Sequence, residues 1–64
     1  MENRFYFKTF DKGFVYIEDN KGKLKLRYNN VVYSSGINFI RDIVGVELNE
    51  EPDYDIIVRY IKKL

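Results

Sequence analysis

Gly13-Phe14-Val15-Tyr16-Ile17-Glu18-Asp19-Asn20-Lys21-Gly22-Lys23-Leu24-Lys25-Leu26-Arg27-Tyr28, residues 13–28, is the stretch that decides the fold. On both sides of Asp19-Asn20-Lys21-Gly22 the side chains alternate between apolar and polar. That period of two marks strands with one buried face. The alternation runs outward to Arg4 and to Ser34, and the turn-forming residues fall where hairpins need them. The spacing predicts strands at 4–10, 14–18, 23–28 and 31–34 in an antiparallel meander.

Loop lengths then give an expected register. A three-residue turn, Asp11-Lys12-Gly13, sets Phe10 opposite Phe14, Lys8 opposite Tyr16 and Tyr6 opposite Glu18. A four-residue loop, Asp19–Gly22, sets Glu18 opposite Lys23, Tyr16 opposite Lys25 and Phe14 opposite Arg27. Asn29-Asn30 can supply two positive-φ residues for a tight turn, which sets Tyr28 opposite Val31 and Leu26 opposite Tyr33. One face then collects Phe5, Phe7, Val15, Ile17, Leu24, Leu26, Tyr28, Val31 and Tyr33. The other collects Arg4, Tyr6, Lys8, Phe10, Phe14, Tyr16, Glu18, Lys23, Lys25 and Arg27. A slip of one residue would mix the two sets.

Beyond Ser34 the period changes. Ser35 suits a helix N-cap, Ile37, Ile40, Ile43 and Val44 recur at helical spacing, and Gly45 can end the helix. After Asn49 come Glu50, Glu51, Asp53 and Asp55, and Lys62 and Lys63 close the segment, an order that complements a helix dipole. Tyr54, Ile57, Val58, Ile61 and Leu64 form one apolar stripe. The β-branched run Ile56-Ile57-Val58 leaves a fifth strand within 53–63 as the alternative. The expected fold is α+β: a four-stranded antiparallel β-meander with one face packed by two C-terminal helices, as a single domain over 1–64.

Sixty-four residues allow one thin core, because a chain this short buries only about 60% of the surface its unfolded form exposes. Cysteine and histidine are both absent, so disulfides and the usual zinc ligands are excluded together. Self-association, as a homodimer, or a partner is the remaining source of extra stability. No apolar run approaches a membrane span, and Met1-Glu2-Asn3-Arg4-Phe5 lacks the apolar stretch of a signal peptide. A cytoplasmic location is expected. Alanine, glutamine and tryptophan are missing too, while Ile, Lys, Asn, Tyr and Phe abound. Their AT-rich codons fit a low-GC bacterium, its phage or plasmid, or a thermophilic archaeal virus.

The same composition argues against an enzyme. Without His or Cys there is neither a nucleophilic triad nor thiol chemistry, and no glycine-rich phosphate loop is present. Ser34, Ser35 and Thr9 read as turn or capping residues. Glu47, Glu50, Glu51, Asp53 and Asp55 form a carboxylate cluster that could chelate Mg²⁺ only with convergent geometry, and a solvated helix start is the plainer reading. No cofactor or metal is expected.

Binding is the remaining function, and the charge is distributed unevenly for it. Net charge is +1, yet residues 1–33 carry +3 and residues 34–64 carry −2. The polar sheet face interleaves cations with aromatics: Tyr6, Lys8, Phe14, Tyr16, Lys23, Lys25 and Arg27. Bases stack on such rings while cations meet phosphates, so single-stranded DNA or RNA is the first expected partner. In the expected register Tyr16 lies open between Lys8 and Lys25. Cross-strand pairing alone would also select these residue types.

Lys12-Gly13-Phe14-Val15-Tyr16-Ile17 resembles the K-G-F-G-F-I strand of cold-shock domains, and Leu24-Lys25-Leu26-Arg27-Tyr28 is similar in outline to their following V-F-V-H-F strand. The resemblance implies that Phe14 and Tyr16 stack on single-stranded RNA or DNA, with Arg27 in place of a histidine. Val15 stands where that family has its inner glycine, Lys25 where it has an aromatic, and nothing after residue 30 matches.

The acidic stretch offers the alternative. Glu47, Glu50, Glu51, Asp53 and Asp55 could meet a basic groove on a host protein, as in small phage inhibitors such as anti-CRISPR proteins. A helix-turn-helix over 36–63 fits poorly, because its second helix would present Glu50, Glu51, Asp53 and Asp55 to phosphates.

Overall fold

In the computed structural model, which describes residues 2–9 and 13–64, four antiparallel strands lie side by side in sequence order. They are β1 (Glu2–Thr9), β2 (Gly13–Asn20), β3 (Lys23–Tyr28) and β4 (Val31–Tyr33). Two helices follow, α1 (Gly36–Ile43) and α2 (Tyr54–Lys62). The segment 53–63 therefore holds a helix, Tyr54–Lys62, and not a fifth strand. The β-branched run is accommodated because Ile57 and Ile61, one turn apart, are both fully buried, and packing of an apolar face outweighs a modest propensity deficit.

The helices cover one face of the sheet, with α2 against β2 and α1 against β4 and α2. Val15, Ile17 and Leu26 from the sheet meet Phe39, Ile40, Ile43, Ile57 and Ile61 in a single buried cluster. Phe5, Phe7, Leu24, Tyr28 and Tyr33 are partly buried around its edge. Among the described residues the two-face sorting of the strands holds, but Phe39 is the largest fully buried side chain there and the helical spacing does not single it out. Its ring meets Tyr33 edge-on at 5.3 Å.

The register differs from expectation in two of the three hairpins. Tyr6 faces Tyr16 rather than Glu18, and Lys8 faces Phe14 rather than Tyr16. Across the next pair Tyr16 faces Arg27 rather than Lys25, and Glu18 faces Lys25 rather than Lys23. Phe10 and most of the first turn lie outside the described residues. Each shift is by two residues, which preserves the faces and changes only the neighbours.

The second hairpin shifts because its loop is shorter than the polar run suggests. Lys21 (φ 53) and Gly22 (φ 86) make a two-residue turn, whose twist matches that of the strands it joins. Asp19 and Asn20 are thereby released to pair with Leu24 and Lys23. The Asp19 carboxylate accepts the Gly22 N–H at 3.1 Å. At the start of β2, the Phe14 N–H donates to Asn29 Oδ1 at 2.9 Å and the Phe14 carbonyl accepts the Asn29 N–H at 2.8 Å. Phe14 thus sits beside the third turn, not opposite Arg27. That turn pairs Tyr28 with Val31 and Leu26 with Tyr33 as expected, although only Asn29 takes positive φ.

Candidate nucleic-acid interface

The sheet face away from the helices is open, and the observed register fixes what lies along it. One row crosses the sheet as Tyr6, Tyr16, Arg27 and Val32. The row beside it holds Lys8 and Phe14, and the row on the other side holds Arg4, Glu18 and Lys25. Lys23 lies further along, opposite Asn20. All seven residues expected at a binding surface are on this face.

Their arrangement differs from the expected one. Tyr16 is not an open ring between two lysines. It is half-buried, with the Tyr6 ring edge-on at 5.4 Å and the Arg27 guanidinium 5.5 Å above its centroid. Its hydroxyl donates to Glu18 Oε1 at 2.6 Å. Among the described residues of this face the open rings are Tyr6, 66% exposed, and Phe14, 51% exposed, their centroids 6.4 Å apart and their planes at 69°. Lys8 Nζ lies 5.6 Å from the Phe14 centroid. Cations within about 6 Å of a ring are attracted to its face, so Lys8 and Arg27 are held beside the two aromatics they accompany.

Glu18 was legible as a member of this face but not as part of its machinery. It is only 8% exposed although it faces outward. Arg4 and Lys25 flank it across the strands, Arg4 at 3.8 Å from its carboxylate, and Tyr16 bonds to it directly. A carboxylate so enclosed is tolerable because its Oε1 is met by both a donor and a cation. The signal in the sequence is one acid at strand period among Arg4, Lys8, Lys23, Lys25 and Arg27.

Between these residues and the third turn lies an open cleft of about 640 Å³, lined by Tyr6, Phe14, Tyr16, Arg27, Asn29 and Asn30. The turn asparagines are the lining residues that sequence reasoning missed. Their polar side chains read simply as turn formers, and the Phe14–Asn29 bonds help to bring the turn against the aromatics.

The carboxylates of the acidic stretch part company. Glu51 Oε1 accepts the Ile37 N–H at 2.9 Å and the Ser35 hydroxyl at 3.3 Å. It thus puts a negative charge at the start of α1, whose own first turn has none. Asp53 is the N-cap of α2, accepting from the Ile56 N–H at 3.0 Å. Gly36 permits this docking, since a Cβ there would stand 2.8 Å from Pro52 Cγ. Glu47, Glu50 and Asp55 remain exposed, and among the described residues no three acidic side chains converge as a metal site requires.

Fold and face together define a small α+β domain with a helix-backed core and an outward sheet surface rich in aromatics and cations. No family model, no curated protein and no solved structure matches the chain. Among the described residues no helix is long and apolar enough to cross a membrane.

Proposed function

We propose that the open sheet face binds single-stranded nucleic acid without catalysing a reaction on it. The observation that supports this most is the pair Tyr6 and Phe14, large rings left exposed side by side, with Lys8 over Phe14 and Arg27 over the adjoining Tyr16. Every base has a π-face, so exposed rings bind single strands with little regard to sequence, at roughly 1–3 kcal/mol per stacked base. The cations meet phosphates, and Glu18 adds little repulsion because it is enclosed by Arg4 and Tyr16. A duplex hides its base faces, so this surface favours single strands.

Fluorescence anisotropy with labelled single-stranded DNA, RNA and duplex, at two salt concentrations, tests the reading. Tighter binding of single strands than of duplex, weakening with salt, is the expected result. No binding at low salt, where electrostatic contacts are strongest, overturns it.

A second reading is docking on a host protein through the acidic side. It is favoured by a groove lined by Leu48, Glu50, Pro52, Ile56 and Tyr60, with Ile56 exposed. Of the expected docking residues, Glu50 and Glu51 line that groove, Glu51 while also bonding to the start of α1, and Glu47 and Asp55 are exposed outside it.

A further inference from the structure

We infer that the corner between the Tyr6 and Phe14 rings takes a single nucleobase, whose edge is read by the side-chain amide of Asn30. The inference rests on the single-strand reading above and narrows it.

The ring geometry sets the number of bases. A run of stacked bases needs ring faces that lie roughly parallel along its path. Tyr6 stands at 69° to Phe14 and at 64° to Tyr16, so neighbouring rings turn away from one another. One flat ring fits such a corner, face against one aromatic and edge against the other, both of which are favoured aromatic contacts. A second base stacked on the first would leave the protein.

Charge sets the chemistry of the occupant. Aromatic corners also hold quaternary ammonium groups, but here Lys8 lies beside Phe14 and Arg27 over Tyr16. A cationic ligand is repelled from both sides. A flat ring carrying phosphates is attracted instead: Lys8 lies over Phe14, and Arg27 lines the same cleft from over Tyr16.

The third turn supplies the polar contact. Asn29 is structural: its carboxamide oxygen and its backbone N–H both bond to Phe14. Asn30 follows it, exposed and lining the same cleft. An asparagine amide offers a donor and an acceptor side by side, the pair that a base edge presents in complement. The floor beneath is fixed, because the Tyr16 hydroxyl is tied to Glu18 at 2.6 Å.

Backbone-amide chemical shifts of the ¹⁵N-labelled chain, followed during titration with unlabelled oligothymidylate trimer, hexamer and dodecamer at low salt, test the number of bases. After correction for the number of binding positions, affinity should be the same for all three lengths. A rise of about tenfold or more from trimer to dodecamer overturns the single-base corner while leaving single-strand binding intact. No shift with any oligonucleotide overturns the single-strand reading itself, and this inference with it. The four homotrimers test the amide. A preference among bases of roughly tenfold, lost in Asn30→Ala and in Asn30→Asp while trimers still bind, is expected. A preference that survives both substitutions, or no preference in the unaltered chain, overturns the role of Asn30.

Discussion

Tyr6 lies directly opposite Tyr16 across β1 and β2, with ring centroids 5.4 Å apart and planes at 64°. Tyr16 is the inner ring, pinned by Glu18 and capped by Arg27, and Tyr6 is the outer one. The two tyrosines should therefore respond differently to truncation. Tyr6→Ala should weaken oligonucleotide binding by about 1–3 kcal/mol with little change in melting temperature. Tyr16→Ala should lower binding and stability together, because it also strips Glu18 of its hydroxyl partner. Anisotropy and thermal melting on both variants check this, and equal effects on stability would remove the inner–outer distinction.

Lys8 sits beside the more open part of the face, near Phe14. If it meets one phosphate, Lys8→Ala should make the log–log dependence of affinity on salt shallower by about 0.7. An unchanged slope would take Lys8 out of the interface. Arg27→Lys should be more damaging than charge alone suggests, because a guanidinium stacks on a ring face as an ammonium does not.

Phe39 and Leu26 hold the helical layer to the sheet. Phe39→Ala should cost about 3–5 kcal/mol and Leu26→Ala about 2–5 kcal/mol, large shares of the stability of a domain this size. Denaturant titration measures both. A loss below about 1 kcal/mol for either would mean that the side chain is not in the core.

Glu51 and Asp53 each cap a helix, whereas Glu47, Glu50 and Asp55 are exposed without that duty. Asp53→Ala should destabilise the fold by about 0.5–2 kcal/mol, and Glu51→Gln should do so by less, since the amide oxygen can still accept from Ile37. Joint replacement of Glu47, Glu50 and Asp55 by neutral residues should leave melting nearly unchanged and oligonucleotide binding intact. Loss of oligonucleotide binding in that triple variant would contradict the placement of the interface on the opposite face.

Tyr33 donates to Asp42 Oδ2 at 2.9 Å. Burial and that hydrogen bond to a carboxylate raise its pKa above the ordinary phenol value. Folding thus favours the protonated phenol. The stabilisation it brings is complete below about pH 10 and disappears as pH rises through the raised folded value. Melting temperature followed from neutral to strongly alkaline pH should fall less steeply in Tyr33→Phe than in the unaltered chain. Parallel profiles would show that Tyr33 does not carry this dependence.

The sequence alone determined the strand-and-turn order, the two faces of the sheet, the Ser35 cap and the presence of cations and aromatics together on one side. Those features follow from local periodicity and turn chemistry, which a chain carries without reference to distant residues. The tertiary structure decided which aromatic is exposed and which cation accompanies it. A shift of two residues leaves every face intact, so alternation cannot detect it. What selects the β2–β3 pairing is the two-residue Lys21-Gly22 turn, and the bonds between Phe14 and Asn29 continue that register at the start of β2. The acidic stretch was divided in the same way. Glu51 bonds to the start of α1 because the fold carries residues 51 and 52 over Gly36, a contact between segments that no local pattern encodes.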